Sequence, residues 1–243
     1  MSGYCSSTNI IDVARKAIAI FAREGPNCCL VGSVASYAYG VSRTPNDVDL
    51  IVLTELYDQE RLKQMLVRSD SNFHLVNSRN IYATYKALWY RFPSSYLAKH
   101  CKVDILDPGI MNIPNVPPEH LVSKAPYNLP LMPLISHLFL KLQAWSDHRA
   151  ATRSDLQLKQ YTDRRDIDQL LEIVYRSGDR IRSPVLKWLP ESMVSAASTR
   201  LQDYLFRGSP STRRQWEALG FVVQLENAGV FISHCPYCSH ARS

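Results

Sequence analysis

The amino-acid sequence predicts an α/β (α+β) domain followed by a helical domain. Amphipathic helix patterns alternate with short apolar runs of strand length over residues 9–107. Proline then becomes frequent between positions 108 and 133, and beyond this segment the apolar spacing is mostly helical. Because the proline-rich segment marks a linker or crossing segment, we place one domain at 1–125 and the second at 126–243.

The elements of the first domain follow from local patterns. Residues 9–25 carry apolar side chains at helical spacing between a Ser/Thr start and a Gly-Pro end, which predicts a helix. Short apolar runs predict buried strands at 28–32 and 47–53. The remaining predictions are a short helix at 33–40, an amphipathic helix at 56–69, and β-rich stretches at 73–76, 81–92 and 101–107.

The second domain should consist of helices. Residues 131–145 are apolar nearly all round, which is typical of a buried helix. Residues 162–178 combine an acidic first turn, an apolar stripe and a terminal glycine, so they also predict a helix. The signals over 183–230 are weaker but still helical.

Composition and charge limit the classes of partner. An apolar content of 46% and a charged content of 21% are ordinary for a globular protein. Most of the net charge of +6 comes from residues 121–243, which fits either an anionic partner or a solvated basic surface. The apolar runs stay well short of the ~20 residues of a membrane helix, and the six cysteines do not resemble a disulfide framework. We therefore expect a cytoplasmic protein with no membrane partner.

Two aspartates interrupt an otherwise apolar strand. Because side chains of a strand alternate between faces, Asp47 and Asp49 project to one side while Val48 faces the core. Two carboxylates ~7 Å apart repel each other unless a cation lies between them. A third, Asp104, lies in the apolar run CKVDILD. Since Mg²⁺ prefers oxygen ligands, these three aspartates predict a divalent metal site.

A glycine and a serine lie where a predicted strand meets a predicted helix. Gly32 lets the backbone approach a ligand closely, and the Ser33 hydroxyl can donate a hydrogen bond. The N–H groups and the dipole of a helix N-terminus favour a phosphate. Together with the metal, this turn could hold the triphosphate of an NTP.

These residues resemble the signature of the DNA polymerase β-like nucleotidyltransferase superfamily. The pattern is Val31-Gly32-Ser33, thirteen intervening residues, and then Asp-Val-Asp-Leu at 47–50, with Asp104 as the later carboxylate. The string YGVSRTPNDVDLIV is especially similar to small stand-alone members, including the abortive-infection-type toxin nucleotidyltransferases. In those proteins an arginine precedes the aspartates, and Arg43 stands here with a spacing that differs by one residue.

The resemblance implies a mixed sheet flanked by helices and a helical C-terminal domain. It also implies catalytic and metal-binding roles for Asp47, Asp49 and Asp104, with Mg²⁺ or Mn²⁺ as cofactor and ATP or another NTP as substrate. Gly32, Ser33 and Arg43 would contribute to nucleotide binding.

A second, weaker resemblance lies downstream. KLQAWSDHR at 141–149 and RRDIDQLL at 164–171 are similar to a region of the same toxins in which a lysine contacts nucleotide phosphates and an aspartate serves the active site. The matching residues are Lys141 and Asp166, with Asp163 as an alternative. The lysine could equally extend along a helix edge, and the acids could simply stabilise a helix N-terminus.

The implied reaction is transfer of an NMP from an NTP to an acceptor hydroxyl or phosphate, with release of pyrophosphate. The acceptor could be RNA, such as tRNA, or a small molecule. Two further hypotheses are an NTP-binding protein of the same fold without turnover, and a nucleic-acid-binding protein that uses the basic second half.

Two other stretches could carry chemistry. Cys235 and Cys238 lie between two histidines and could bind zinc, but the four side chains crowd within seven residues, which disfavours a tetrahedral site. The run TYKALWYRF at 84–92 is more typical of a packing face than of a base-stacking platform. Lys86 and Arg91 nevertheless keep stacking open.

Overall fold

The computed structural model describes residues 5–77, 85–93, 99–206, 208–226 and 229–233. The chain forms two compact units, Met1–Pro133 and Leu134–Ser243. The boundary between them lies at the end of the proline-rich segment. The boundary predicted at 125/126 stays a prediction. No helix in the described ranges has both the length and the apolar content needed to cross a membrane.

The first unit alternates helices and strands, as the sequence predicted. Its helices are α1 (Ser7–Glu24), α2 (Gly32–Tyr39) and α3 (Gln59–Ser69). Its strands are β1 (Asn27–Val31), β2 (Asp47–Leu53), β3 (Phe73–Asn77), β4 (Lys86–Arg91), β5 (His100–Leu106), β6 (Val122–Ser123) and β7 (Pro130–Leu131). The strand predicted over 81–92 is observed as β4, which begins at Lys86. Residues 81–84 of the predicted strand lie outside the described residues.

The strands form one mixed sheet in the order β3-β4-β5-β2-β1-β7-β6. Strand β2 lies near its centre, parallel to β5 and antiparallel to β1. The predicted mixed sheet flanked by helices is therefore confirmed. The two-residue strands β6 and β7 were not predicted, because a strand this short shows no alternation and Pro130 cannot donate to a sheet ladder.

Helices α1 and α3 pack against the sheet. The Lys16 ammonium of α1 lies 5.9 Å from the ring centroid of Tyr90, which is on the face of the sheet that carries Val48 and Val103. Both valines are buried. The residues that alternate with them, Asp47 and Asp49 among them, are half-buried on the opposite face.

The second unit contains the helices α4 (Leu134–Ala150), α5 (Ser154–Gln157), α6 (Lys159–Ser177), α7 (Glu191–Phe206) and α8 (Pro210–Leu219). Helix α4 packs against α6 and α7. In the core of the second unit, edge-to-face contacts join four aromatic side chains: Trp145, Tyr204, Trp216 and Phe221.

The helical expectation for 183–230 is wrong at its end. Strands β8 (Val222–Glu226) and β9 (Gly229–Ser233) pair as an antiparallel hairpin. Five residues are too few to separate a strand pattern from a helix pattern, so β8 looked like a continuation of the helical region.

Candidate active site

Three aspartates meet on the face of the sheet opposite Val48 and Val103, which we call the open face. The parallel register of β2 and β5 places Asp49 directly beside Asp104, and Asp47 beside Lys102. Buried apolar side chains alternate with them, so Val48 and Val103 hold both strands with their carboxylates outward. Oxygens of the three carboxylates lie within 4.8 Å of one another. The cluster can therefore bind a divalent cation.

Gly32 is needed where β1 passes into α2. Its φ of +62° lies in the left-handed region, and a Cβ added here would be 1.8 Å from Oδ2 of Asp49. The contact follows from the antiparallel register of β1 and β2, which pairs Val31 with Asp49. Glycine thus leaves the space that the Asp49 carboxylate occupies.

Ser33 lies in the first turn of α2 and is buried. Its hydroxyl donates a hydrogen bond of 2.9 Å to Oδ1 of Asp47. This contact orients one carboxylate of the cluster, and it places the N-terminus of α2 beside the site. Negative charge is favoured there by the helix dipole.

Lys102 supplies a positive charge at the edge of the cluster. Its ammonium donates a hydrogen bond of 2.7 Å to Oδ2 of Asp104. Burial by itself would lower the pKa of Lys102, but the hydrogen bond and charge of Asp104 and the charges of Asp49 and Asp47 outweigh it and raise the pKa. Lys102 was not among the site residues predicted from the sequence. The available signal was its position two residues before Asp104, which puts both side chains on one face of β5.

The donor set fits a hard divalent cation. All three aspartates offer carboxylate oxygen, the ligand that Mg²⁺ and Mn²⁺ prefer. Carboxylates this close repel one another in the absence of a compensating cation. The missing Cβ at residue 32 leaves room for Asp49 to reach the shared position.

Solved structures show a similar arrangement of the chain. An antigenic nucleotidyltransferase-like protein from Paracoccidioides brasiliensis aligns with a TM-score of 0.60 at 15% identity, covering 89% of this chain and 95% of that one. The chain has a nucleotidyltransferase-like fold. ANT(2″)-Ia in complex with adenylyl-2″-tobramycin aligns with a TM-score of 0.41 at 10% identity, covering 80% of this chain and 98% of that one. Terminal uridylyl transferase 4 from Trypanosoma brucei with bound GTP aligns with a TM-score of 0.33 at 14% identity, covering 84% of this chain and 66% of that one.

The sequence itself has no such counterpart, since no protein-family model and no curated protein matches it. The nucleotidyltransferase-like fold was predicted from five residues, Gly32, Ser33, Asp47, Asp49 and Asp104. The structure brings all five together at the junction of β1, α2, β2 and β5. The narrower likeness to abortive-infection-type toxins stays a prediction.

Three other predicted nucleotide-binding residues do not belong to the elements that form this junction. Arg43 is half-buried in the loop 41–46, which leads into β2. Lys141 on α4 and Asp166 on α6 form an ion pair of 3.0 Å within the second unit, with side chains only 9% and 1% exposed. The alternative acid, Asp163, instead contacts Nδ1 of His148 at 2.6 Å. Nucleotide contacts by these residues stay predictions.

His137 lies one turn before Lys141 on α4 and is buried. Burial, followed by the charge of Lys141, lowers its pKa to about 3, although the charge of Asp166 acts in the opposite direction. The imidazole is therefore neutral at pH 7. The predicted zinc ligands Cys235 and Cys238 lie outside the described residues.

Proposed function

We propose that the protein is a metal-dependent nucleotidyltransferase, which transfers an NMP from an NTP to an acceptor hydroxyl or phosphate and releases pyrophosphate. One observation carries the proposal: Asp47, Asp49 and Asp104 converge within 4.8 Å beside the Gly32-Ser33 turn. A metal cluster next to a helix N-terminus suits a substrate that carries a triphosphate.

The nucleotide would bind with its triphosphate between the carboxylates and α2. Backbone N–H groups of the first turn of α2 would donate to phosphate oxygens, and the Ser33 hydroxyl would hold Asp47 in position. Asp47 and Asp49 would hold Mg²⁺ or Mn²⁺ on the triphosphate, and Asp104 would complete a second metal position. The bound ions would stabilise the negative charge on the attacking and leaving oxygens.

The chain's own groups would position the acceptor and accept its proton. The acceptor oxygen attacks the α-phosphorus, so that a new P–O bond forms while the bond to the β-phosphate breaks and pyrophosphate leaves. For a hydroxyl acceptor, the proton passes to the Asp104 carboxylate and then to solvent.

The test is pyrophosphate release with each of the four NTPs and either Mg²⁺ or Mn²⁺, with and without RNA or a small alcohol as acceptor. Asp49→Asn should abolish release, because it removes one ligand charge without changing the shape of the side chain. Asp12→Asn is the matched control, since this aspartate lies on the exposed face of α1. Release that persists in Asp49→Asn would refute the assigned site.

NTP binding without turnover is the second candidate. It is favoured by the short contact between Lys102 and Asp104, because a lysine already occupies the carboxylate that transfer chemistry requires. In this case the native protein would bind NTP in calorimetry but release no pyrophosphate. Binding would also survive Asp104→Asn.

We also propose a cytoplasmic location. Cys28, Cys29 and Cys101 are buried free thiols. Burial raises the pKa of Cys28 to about 12, and a protonated thiol is poorly reactive. Such thiols suit a reducing compartment. Recovery of the protein from the cytosolic fraction of its own cells would test this proposal.

A further inference from the structure

The open face of the sheet continues beyond the aspartates toward the edge strand β3. Cross-strand pairing joins His74 to Trp89, Trp89 to Lys102, and Lys102 to Asp47. Directly paired residues point to the same face of a sheet. One row of side chains therefore leads from the carboxylate cluster across β5 and β4 to β3.

A groove with a volume of about 580 Å³ follows this row, within the size range of ligand sites in proteins. Its lining includes Asp104 at one end and the aromatic residues Trp89 and Tyr85 further along. Trp89 is half-buried, and Tyr85 is 56% exposed. The groove thus joins a candidate catalytic carboxylate to an accessible aromatic surface within the first unit.

The charge of the lining favours an anionic ligand. Among the described residues that line the groove, three are basic (Lys63, Lys86 and Lys102) and only Asp104 is acidic. Lys102 pairs with Trp89 and lies on the same face, whereas Lys86 pairs with Asn77 and lies on the alternate face at the start of β4. A polycationic aminosugar would be repelled by such a surface, while phosphates would be attracted.

The spacing suits a nucleotide. Trp89 pairs with Lys102, and Asp104 is two residues further along β5. Such a diagonal pair is separated by roughly 7–8 Å across a sheet. A base that stacks on Trp89 would therefore place its ribose near the Asp104 carboxylate.

We infer that this groove is the acceptor subsite and that it binds the 3′-terminal nucleotide of a single-stranded RNA. The base stacks on Trp89, the phosphate lies near Lys102, which pairs with Trp89 on the same face, and the terminal ribose hydroxyl is directed to Asp104. This inference rests on the proposed transferase function, and the transfer is the step described above. A free nucleotide presents the same base and phosphate chemistry, so the experiment includes it.

The first measurement is binding without NTP, which does not depend on turnover. A short fluorescein-labelled single-stranded RNA is titrated with the full chain, and its anisotropy is followed. Trp89→Ala should weaken binding roughly 5- to 150-fold, the range measured for base–aromatic stacking. Trp89→Phe should restore most of the affinity, and Tyr175→Ala, which removes an exposed aromatic residue of α6, should change nothing. Equal affinity for Trp89→Ala and the native protein would overturn the inference.

Lys102→Gln provides a second variant in case Trp89→Ala does not fold, because Lys102 pairs with Trp89. It should weaken RNA binding and reduce the slope of log affinity against log salt by about 1. An unchanged slope would also contradict the inference.

Turnover with Mg²⁺ and NTP then separates the sources of the acceptor. RNA should be extended with a higher kcat/KM than UMP, and tobramycin should not be modified. A higher kcat/KM for UMP than for RNA would show that the groove binds a free nucleotide. Modification of tobramycin in preference to RNA would overturn the inference. If no acceptor supports pyrophosphate release while RNA binding still depends on Trp89, the transferase proposal fails and the groove remains an RNA site.

Discussion

Gly32→Ala tests the junction that the candidate site depends on. The new Cβ would lie 1.8 Å from Oδ2, 2.7 Å from Cγ and 3.0 Å from Cβ of Asp49. Rotation of the carboxylate can remove the first contact, but Cγ and Cβ are close as well, so the backbone of β1 or β2 must also move. We expect Asp49 to be displaced by about 1 Å. A misplacement of this size can cost about 100-fold in rate.

The substitution also carries a backbone cost. An alanine in the left-handed region is less stable than glycine by about 1–2 kcal/mol, which corresponds to about 2–8 °C in Tm for a chain of this size. Gly178→Ala is the matched control, because Gly178 has a φ of +78° and no atom within 4 Å of an added Cβ. It carries the backbone cost without the clash.

The assay compares pyrophosphate release and thermal unfolding for both variants. Both variants should lose a similar few degrees of Tm, but only Gly32→Ala should lose about 100-fold in kcat/KM. Mg²⁺ should raise the Tm of the native protein and of Gly178→Ala, but not that of Gly32→Ala. Two results would refute the reasoning. One is native activity in Gly32→Ala, and the other is an equal loss of activity in Gly178→Ala.

Three further predictions concern single contacts. Ser33→Ala removes the hydrogen bond to Asp47 and should lower kcat/KM for NTP about 10-fold; unchanged kinetics would show that Asp47 is oriented by other contacts. Lys141→Met should lower the free energy of unfolding in urea by about 3–5 kcal/mol, since it removes the ammonium that lies 3.0 Å from the buried Asp166 carboxylate. Lys141→Met/Asp166→Leu should recover most of this loss, and additive losses would contradict the pairing. Burial, followed by the charge of Lys141, lowers the pKa of His137 to about 3, although the charge of Asp166 raises it. In the unfolded state the pKa returns to about 6.5. Between these two values the unfolded state therefore binds a proton that the folded state does not. Stability should therefore fall by about 2 kcal/mol from pH 7 to pH 5. The decline should be absent in His137→Phe, and equal declines in both proteins would contradict a buried neutral imidazole.

The candidate metal site could be found from the sequence because strand parity is a local property. Asp47 and Asp49 are two residues apart between buried apolar neighbours, so their shared face followed without a structure. Gly32 was recognisable because a glycine between a predicted strand and a predicted helix lets the backbone approach a ligand closely. Its contact with Asp49 required the register of β1 and β2, which the sequence does not encode locally.

Other features depend on contacts between distant elements. The ion pair of Lys141 and Asp166 joins α4 to α6, and each residue alone resembled an ordinary helix charge. Lys102 belongs to the candidate site because it donates a hydrogen bond to Asp104 and pairs with Asp47 on the neighbouring strand. Base stacking was left open for residues 84–92, but the groove itself was not predicted, since Trp89 and Lys102 are adjacent only after β4 and β5 pair.

The apolar residues of β5 determine the candidate metal site as much as its carboxylates do. Val103 and Ile105 are buried, and their burial sets which residues of β5 face the open side. A slip of one residue would turn Asp104 toward the core and bring apolar side chains to Asp49. The same slip would move Lys102 away from Trp89 and break the row that leads to the groove. Because both sites depend on one register, a core substitution such as Val103→Lys should disrupt metal binding and RNA binding together.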